Sequence, residues 1–120
     1  MKHDITSNDD IIILINVFYE RLLQIEGMPA VFADLNFEAH KPRIVHFWAF
    51  VLLDEPGYTT NVFDKHFHLP IKLHMFQQWL QVFTNTVNDL FVGEKADMAI
   101  QRATVLTFTF ESKWQKLKGE

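Results

Sequence analysis

With 120 residues, no cysteine and a net charge of −4, the chain has the length of one domain and can bury a core without covalent staples. The lack of thiols excludes thiolate metal ligation, iron–sulfur clusters and zinc ribbons. The acidic balance leaves no basic footprint for a nucleic-acid backbone, so no nucleic-acid partner is expected. The apolar runs at 11–15 and 47–53 are too short for a bilayer span, and Met1-Lys2-His3-Asp4 has no signal-peptide core, which predicts a cytoplasmic protein with no membrane partner.

In chain order, a first helix is predicted to begin after Ser7-Asn8, with Asp9 and Asp10 in the first turn, where negative charge suits the helix dipole. Its apolar stripe is Ile11, Ile15, Phe18, Leu22 and Ile25, and Gly27 and Pro29 end it. Val31 to Leu35 reads as a short turn-like helix carrying Phe32. Pro42 suits a first-turn position, because its missing N–H would be unpaired there anyway, and opens a second long helix running to about Leu53. Asp54-Glu55-Pro56-Gly57 stops that helix, and Thr59 to Leu69 is a loop with at most a short helix. A third long helix spans about Lys72 to Phe91, with Met75, Phe76, Trp79, Phe83, Val87 and Leu90 on one side, and Val92-Gly93 breaks it.

The last segment is ambiguous by pattern. Thr104 to Phe110 alternates like a strand and is rich in β-branched residues. Yet Ala99, Ala103, Leu106, Phe110 and Leu117 form a helical stripe from Ala96 past Lys113, and no other stretch offers a strand to pair with. The expectation is helix, and one all-α domain over 1–120.

Twelve Phe, three Trp and two Tyr either fill the core or gather around a flat group. With no cysteine, histidine is the strong metal ligand available, and the six are His3, His40, His46, His66, His68 and His74. His66-x-His68 is by itself a weak metal spacing. Tyr O–H and Trp N–H groups, here Tyr19 and Trp79, can hydrogen-bond a polar ligand inside an apolar pocket without carrying charge.

Taken together, Phe18-Tyr19-Glu20, Phe32, His40-Lys41, Phe47-Trp48, Lys65-His66, Leu69-Pro70, Phe76, Trp79-Leu80 and Gln101-Arg102-Ala103 resemble the truncated haemoglobins of group III across almost the whole chain. Groups I and II typically carry Gly-Gly pairs, which this chain lacks. The resemblance implies a two-on-two helical globin around haem b. It makes His66 the proximal iron ligand and Tyr19, His40 and Trp79 the distal groups facing a bound ligand. Phe32, Ile44, Phe47, Trp48, Leu69 and Phe76 would pack on the haem, and Arg43 would meet a propionate. The implied ligands are dioxygen, nitric oxide and carbon monoxide, with no catalytic residue assigned, and the expected chain is a monomer. Several donors around dioxygen should slow its release, which favours redox handling of oxygen, nitric oxide or peroxide over transport and calls for an external reductase.

Two features depart from the family pattern. The connection from Phe32 to His40 is short, and Pro42 biases Lys41 away from helical geometry, leaving His40 at or just outside the helix start. On this reading His40 swings as a gate. The rival readings are a haem-free helical interaction domain with an aromatic core, and a non-haem metal binder using His40, His66 and His68.

Overall fold

The computed structural model describes residues 2–33, 36–56 and 72–118. They form five helices: α1 (Asn8–Leu22), α2 (Met28–Val31), α3 (Phe37–Leu53), α4 (Leu73–Leu90) and α5 (Glu94–Lys118). Among the described residues there is no strand, only a single bridge between His3 and Phe91. The segment from Thr104 to Phe110 is helical. Its alternating pattern yields to the stripe that buries Ala99, Ala103, Thr107 and Phe110, and its hydroxyls turn back on the helix, Thr104 Oγ1 donating to Ile100 O and Thr107 Oγ1 to Ala103 O.

The start of α1 follows its sequence signals. Ser7 caps it by accepting from the Asp10 N–H, while the Asp10 carboxylate accepts from the backbone and hydroxyl of Thr6. α3 departs from expectation. It begins at Phe37, one turn and more before Pro42, because the Asn36 side chain caps it by accepting from Glu38 N and Ala39 N. Pro42 therefore lies inside the helix, and the carbonyl of Glu38, four residues back, has no N–H there to accept from. The short helix after α1 likewise comes earlier than expected, at Met28–Val31 with Pro29 in its first turn, and Gly27 enters it at φ 89°.

α1 packs on α3 and α4 packs on α5, and the two pairs cross, α1 against α4 and α3 against α5. This is the two-on-two sandwich. At the crossing, the Phe83 ring of α4 is stacked between Trp48 of α3, 4.9 Å away at 20°, and Trp79 of its own helix, 5.4 Å away at 6°. Phe18 of α1 meets both Trp79 and Phe83 edge-on, each at 5.4 Å. Such pairs contribute about 0.5–1.5 kcal/mol each beyond their buried area.

The N-terminus ties the far corner. Asp4 accepts from the N–H groups of Lys95 and Ala96 at 2.9 Å, capping the start of α5, and from Ile5 N at 2.8 Å. Val92 N donates to His3 O, and Arg21 pairs with Asp89 at 2.8 Å across α1 and α4. Gly93 sits at φ 140°, and a Cβ there would lie 2.5 Å from the Asp4 carboxyl carbon.

Two outcomes follow from this corner. Gly93→Ala should lose about 1–3 kcal/mol in denaturant unfolding, since it strains the backbone and displaces the cap. Burial pushes the Asp4 and Asp10 carboxyls up, but the N–H and hydroxyl donors around them outweigh it and hold both below the usual carboxylate range. A carboxyl depressed on folding adds stability at pH above its unfolded value and loses it as pH falls through the folded one. Acid unfolding curves of Asp4→Asn should therefore converge on wild type below about pH 4 and separate above it. Curves that stay parallel through acid would show that the cap carries no linked charge.

Candidate functional site

The polar centre of the molecule is Tyr19, on the α1 face that meets α2 and α3. It is 4% exposed, and its hydroxyl lies 2.8 Å from His40 Nε2. Burial pushes the phenol well above the ordinary tyrosine range, so it stays protonated and acts as a neutral donor. Phe32 and Phe37 meet the Tyr19 ring edge-on at 6.2 and 5.3 Å, and His40 sits against the Phe37 ring. His40 is thus a residue of the first turns of α3, half-buried and packed. The expectation that His40 stands at or just outside the helix start is overturned, because the Asn36 cap begins the helix five residues before Pro42, and the Tyr19 hydroxyl engages the imidazole.

Two apolar clefts meet at Tyr19. One runs under α2 between α4 and α5, lined by Met28, Val31, Phe32, Met75, Phe76 and Thr107. The other runs along the inner face of α3, lined by Ile44, Phe47, Trp48, Phe18, Phe83 and Leu106. Tyr19, Trp79 and Phe110 line both, so the two are halves of one aromatic slot. Both are narrow, with free volumes of about 30 and 20 Å³, and a group of macrocycle size enters only where the walls part. The described lining has four polar side chains, Tyr19, Trp48, Trp79 and Thr107, and the Thr107 hydroxyl is spent on Ala103 O at 2.8 Å. Such a slot suits a flat, apolar guest with one polar end.

The structure brings together Tyr19, Phe32, Ile44, Phe47, Trp48, Phe76 and Trp79. His40 joins them through the Tyr19 hydroxyl. Arg43 lies on the exposed side of α3, outside the slot's lining. His66 and Leu69 lie outside the described residues, as does His68. Among the described residues no group of three His, Asp or Glu side chains is placed to hold a metal ion.

Phe37 and Phe110 were missed as site residues. Phe37 was hidden by placing the helix start at Pro42, although Asn36 followed by Glu38 is a capping signal. Phe110 was legible as a core position on α5 but not as a wall of the slot, since nothing in a helical stripe distinguishes the two.

The Tyr19–His40 contact makes a stability prediction. His40→Leu leaves a buried hydroxyl without that partner and should cost about 1–3 kcal/mol in denaturant unfolding, more than Tyr19→Phe, which removes the polar group itself. A double-mutant cycle with no coupling between them would show that the contact adds nothing.

No family model matches the chain. The chain is 28% identical over 126 aligned positions to the Group 3 truncated hemoglobin ctb of Campylobacter jejuni, and the alignment covers 99% of each chain. The crystal structure of group III truncated hemoglobin from Campylobacter jejuni superposes with a TM-score of 0.82 at 28% identity, covering 94% of each chain.

Proposed function

We propose that this chain, a truncated globin similar over its whole length to a group III relative, carries haem b in its aromatic slot and binds diatomic gases there. The observation that supports this best is Tyr19, a buried phenol that shares with Trp79 the wall between two otherwise apolar clefts. In this reading His66 is the proximal ligand. Ile44, Phe47 and Trp48 from α3, with Phe32, Phe76 and Leu69, enclose the ring, and Arg43 serves a propionate at the solvent edge.

Haem supplies an iron with one open position for a small ligand. The chain supplies the rest. Burial keeps the phenol protonated, and with the proton of the imidazole on Nε2 the Tyr19 oxygen accepts from His40 and its own O–H is left to donate into the slot. Trp79 can only donate, through its indole N–H. Two donors fixed by packing favour ligands that gather negative charge, and in a water-poor slot they do so without reorganising. His40 stands behind Tyr19 and holds its oxygen. The apolar side chains of α3 and α4 exclude water from the rest of the slot.

Strong donation slows release of dioxygen, so the reading is redox handling of oxygen, nitric oxide or peroxide, with electrons from an external reductase. Tyr19→Phe and Trp79→Phe should each release dioxygen faster, by roughly 0.5–3 kcal/mol of barrier. Unchanged release in both would make these residues core packing alone. The visible spectrum of protein from haem-replete cells tests the reading itself. A Soret band is expected in wild type and His68→Ala, and it should be lost or weakened in His66→Ala. A wild-type spectrum without that band, or one that depends on His68 instead, would overturn the assignment.

A further inference from the structure

α5 turns one face to the core, through Ala99, Ala103, Thr107 and Phe110, and leaves the opposite face uncovered. On that outer face Phe108 is 71% exposed and Val105 61%, the two most exposed of the large apolar side chains described. They are three residues apart and so lie side by side. They also belong to a longer pattern. Val105 and Ser112 are seven residues apart, as are Gln101, Phe108 and Gln115 in turn, and all five are exposed. This sets them at the two inner positions of a heptad seam over the middle and C-terminal part of the helix, with Met98 at its N-terminal end partly buried against the core.

The residues flanking that seam are sorted by sign. Asp97 and Glu111 lie on one side and Arg102 and Lys116 on the other. In a parallel, in-register helix pair, the residue before each first seam position faces the residue five further along the partner. That rule joins Asp97 to Arg102 and Glu111 to Lys116 of the second copy, with Thr104 and Thr109 between them. The same pairs recur by symmetry on the other side of the seam. An antiparallel arrangement would set like flanks against each other, Arg102 and Lys116 on one side and Asp97 and Glu111 on the other, without this compensation. Asp97, Arg102 and Lys116 are exposed. Glu111 receives the Gln77 amide through both oxygens at 3.0 Å, a neutral partner that leaves its charge uncancelled.

From this complementarity we propose that the outer face of α5 is a dimer interface, occupied by a second copy of this chain with the two helices parallel and in register. The core-facing side of α5 points away from the seam, so the two globin bodies lie on opposite sides of it. This replaces the monomer expected from the sequence. The interface is a single helix stripe with Gln and Ser in half of its inner positions, narrower than the roughly 800 Å² per partner of a standard interface. The dimer is therefore weak and dissociates on dilution. It also puts the pocket wall formed by Leu106, Thr107 and Phe110 on the same helix as the contact.

Sedimentation of the purified chain from roughly 1 µM to 1 mM should show a reversible monomer–dimer equilibrium. Phe108→Ser should weaken it on the order of tenfold or more, and Arg102→Asp should weaken it likewise. Combining Arg102→Asp with Asp97→Arg swaps the pair and should restore association. Because the chain has no cysteine, Gln101→Cys introduces a single thiol at an inner seam position. A parallel in-register pair brings the two copies of that residue within disulfide reach, so diamide should cross-link it at protein concentrations where the equilibrium favours dimer. Circular dichroism of each variant confirms the helix. A monomer throughout the range, a dimer indifferent to Phe108→Ser, or a dimer that Gln101→Cys fails to cross-link would each overturn the proposal.

Discussion

The structure depends on how α3 is held against α4, and that is set by the Phe83 ring stacked between Trp48 and Trp79. Flat rings in contact fix both a distance and a tilt. With Phe18 closing the edge from α1, three helices share one packing unit in which Phe18, Trp48 and Phe83 are buried and Trp79 is partly so. The slot is a consequence of it. One side of Trp79 belongs to the stack and the rest of the indole is left to line both clefts, while Tyr19, next to Phe18 on α1, is carried to the same wall. Core packing and the walls of the slot therefore use adjacent residues of the same helices, so substitutions in the stack are expected to alter the pocket as well as stability.

The second constraint is polar and local. A buried hydroxyl needs a partner, and Tyr19 finds His40. That contact explains why α3 begins where it does: the Asn36 cap and the packing of Phe37 on Tyr19 bring His40 into the first turns of the helix, and Pro42 is accommodated inside it. The local preference of proline for a helix start was outweighed by a capping residue six positions earlier together with tertiary contact.

This is where the sequence was a partial guide. α1, α4 and α5 were legible because long apolar stripes with end signals overdetermine them: Ser7 and the acidic pair for α1, Val92-Gly93 after α4, and a stripe through Ala99, Ala103 and Phe110 strong enough to outweigh the strand-like alternation in α5. The start of α3 was not legible, because two competing signals lay close together and only the fold decides between them. At the site, Tyr19, Phe47, Trp48 and Trp79 were readable as a set through family resemblance, and the structure places them on one slot. Phe37 and Phe110 were not readable, since their roles arise from which helices meet and not from the pattern along either one. Arg43 was read from the same resemblance as a basic residue at the haem edge, and it stands on the exposed side of α3, outside the lining of the slot.

The central claim is that the slot walled by Tyr19, Trp79 and Trp48 is where a haem goes. Titrating haem-free protein with haemin while following tryptophan emission tests it directly, because a haem beside Trp79 and Trp48 quenches both by energy transfer. The account predicts steep quenching that stops at one haemin per chain. Shallow quenching without a break at that ratio, as given by haemin adsorbing to the surface, would contradict it.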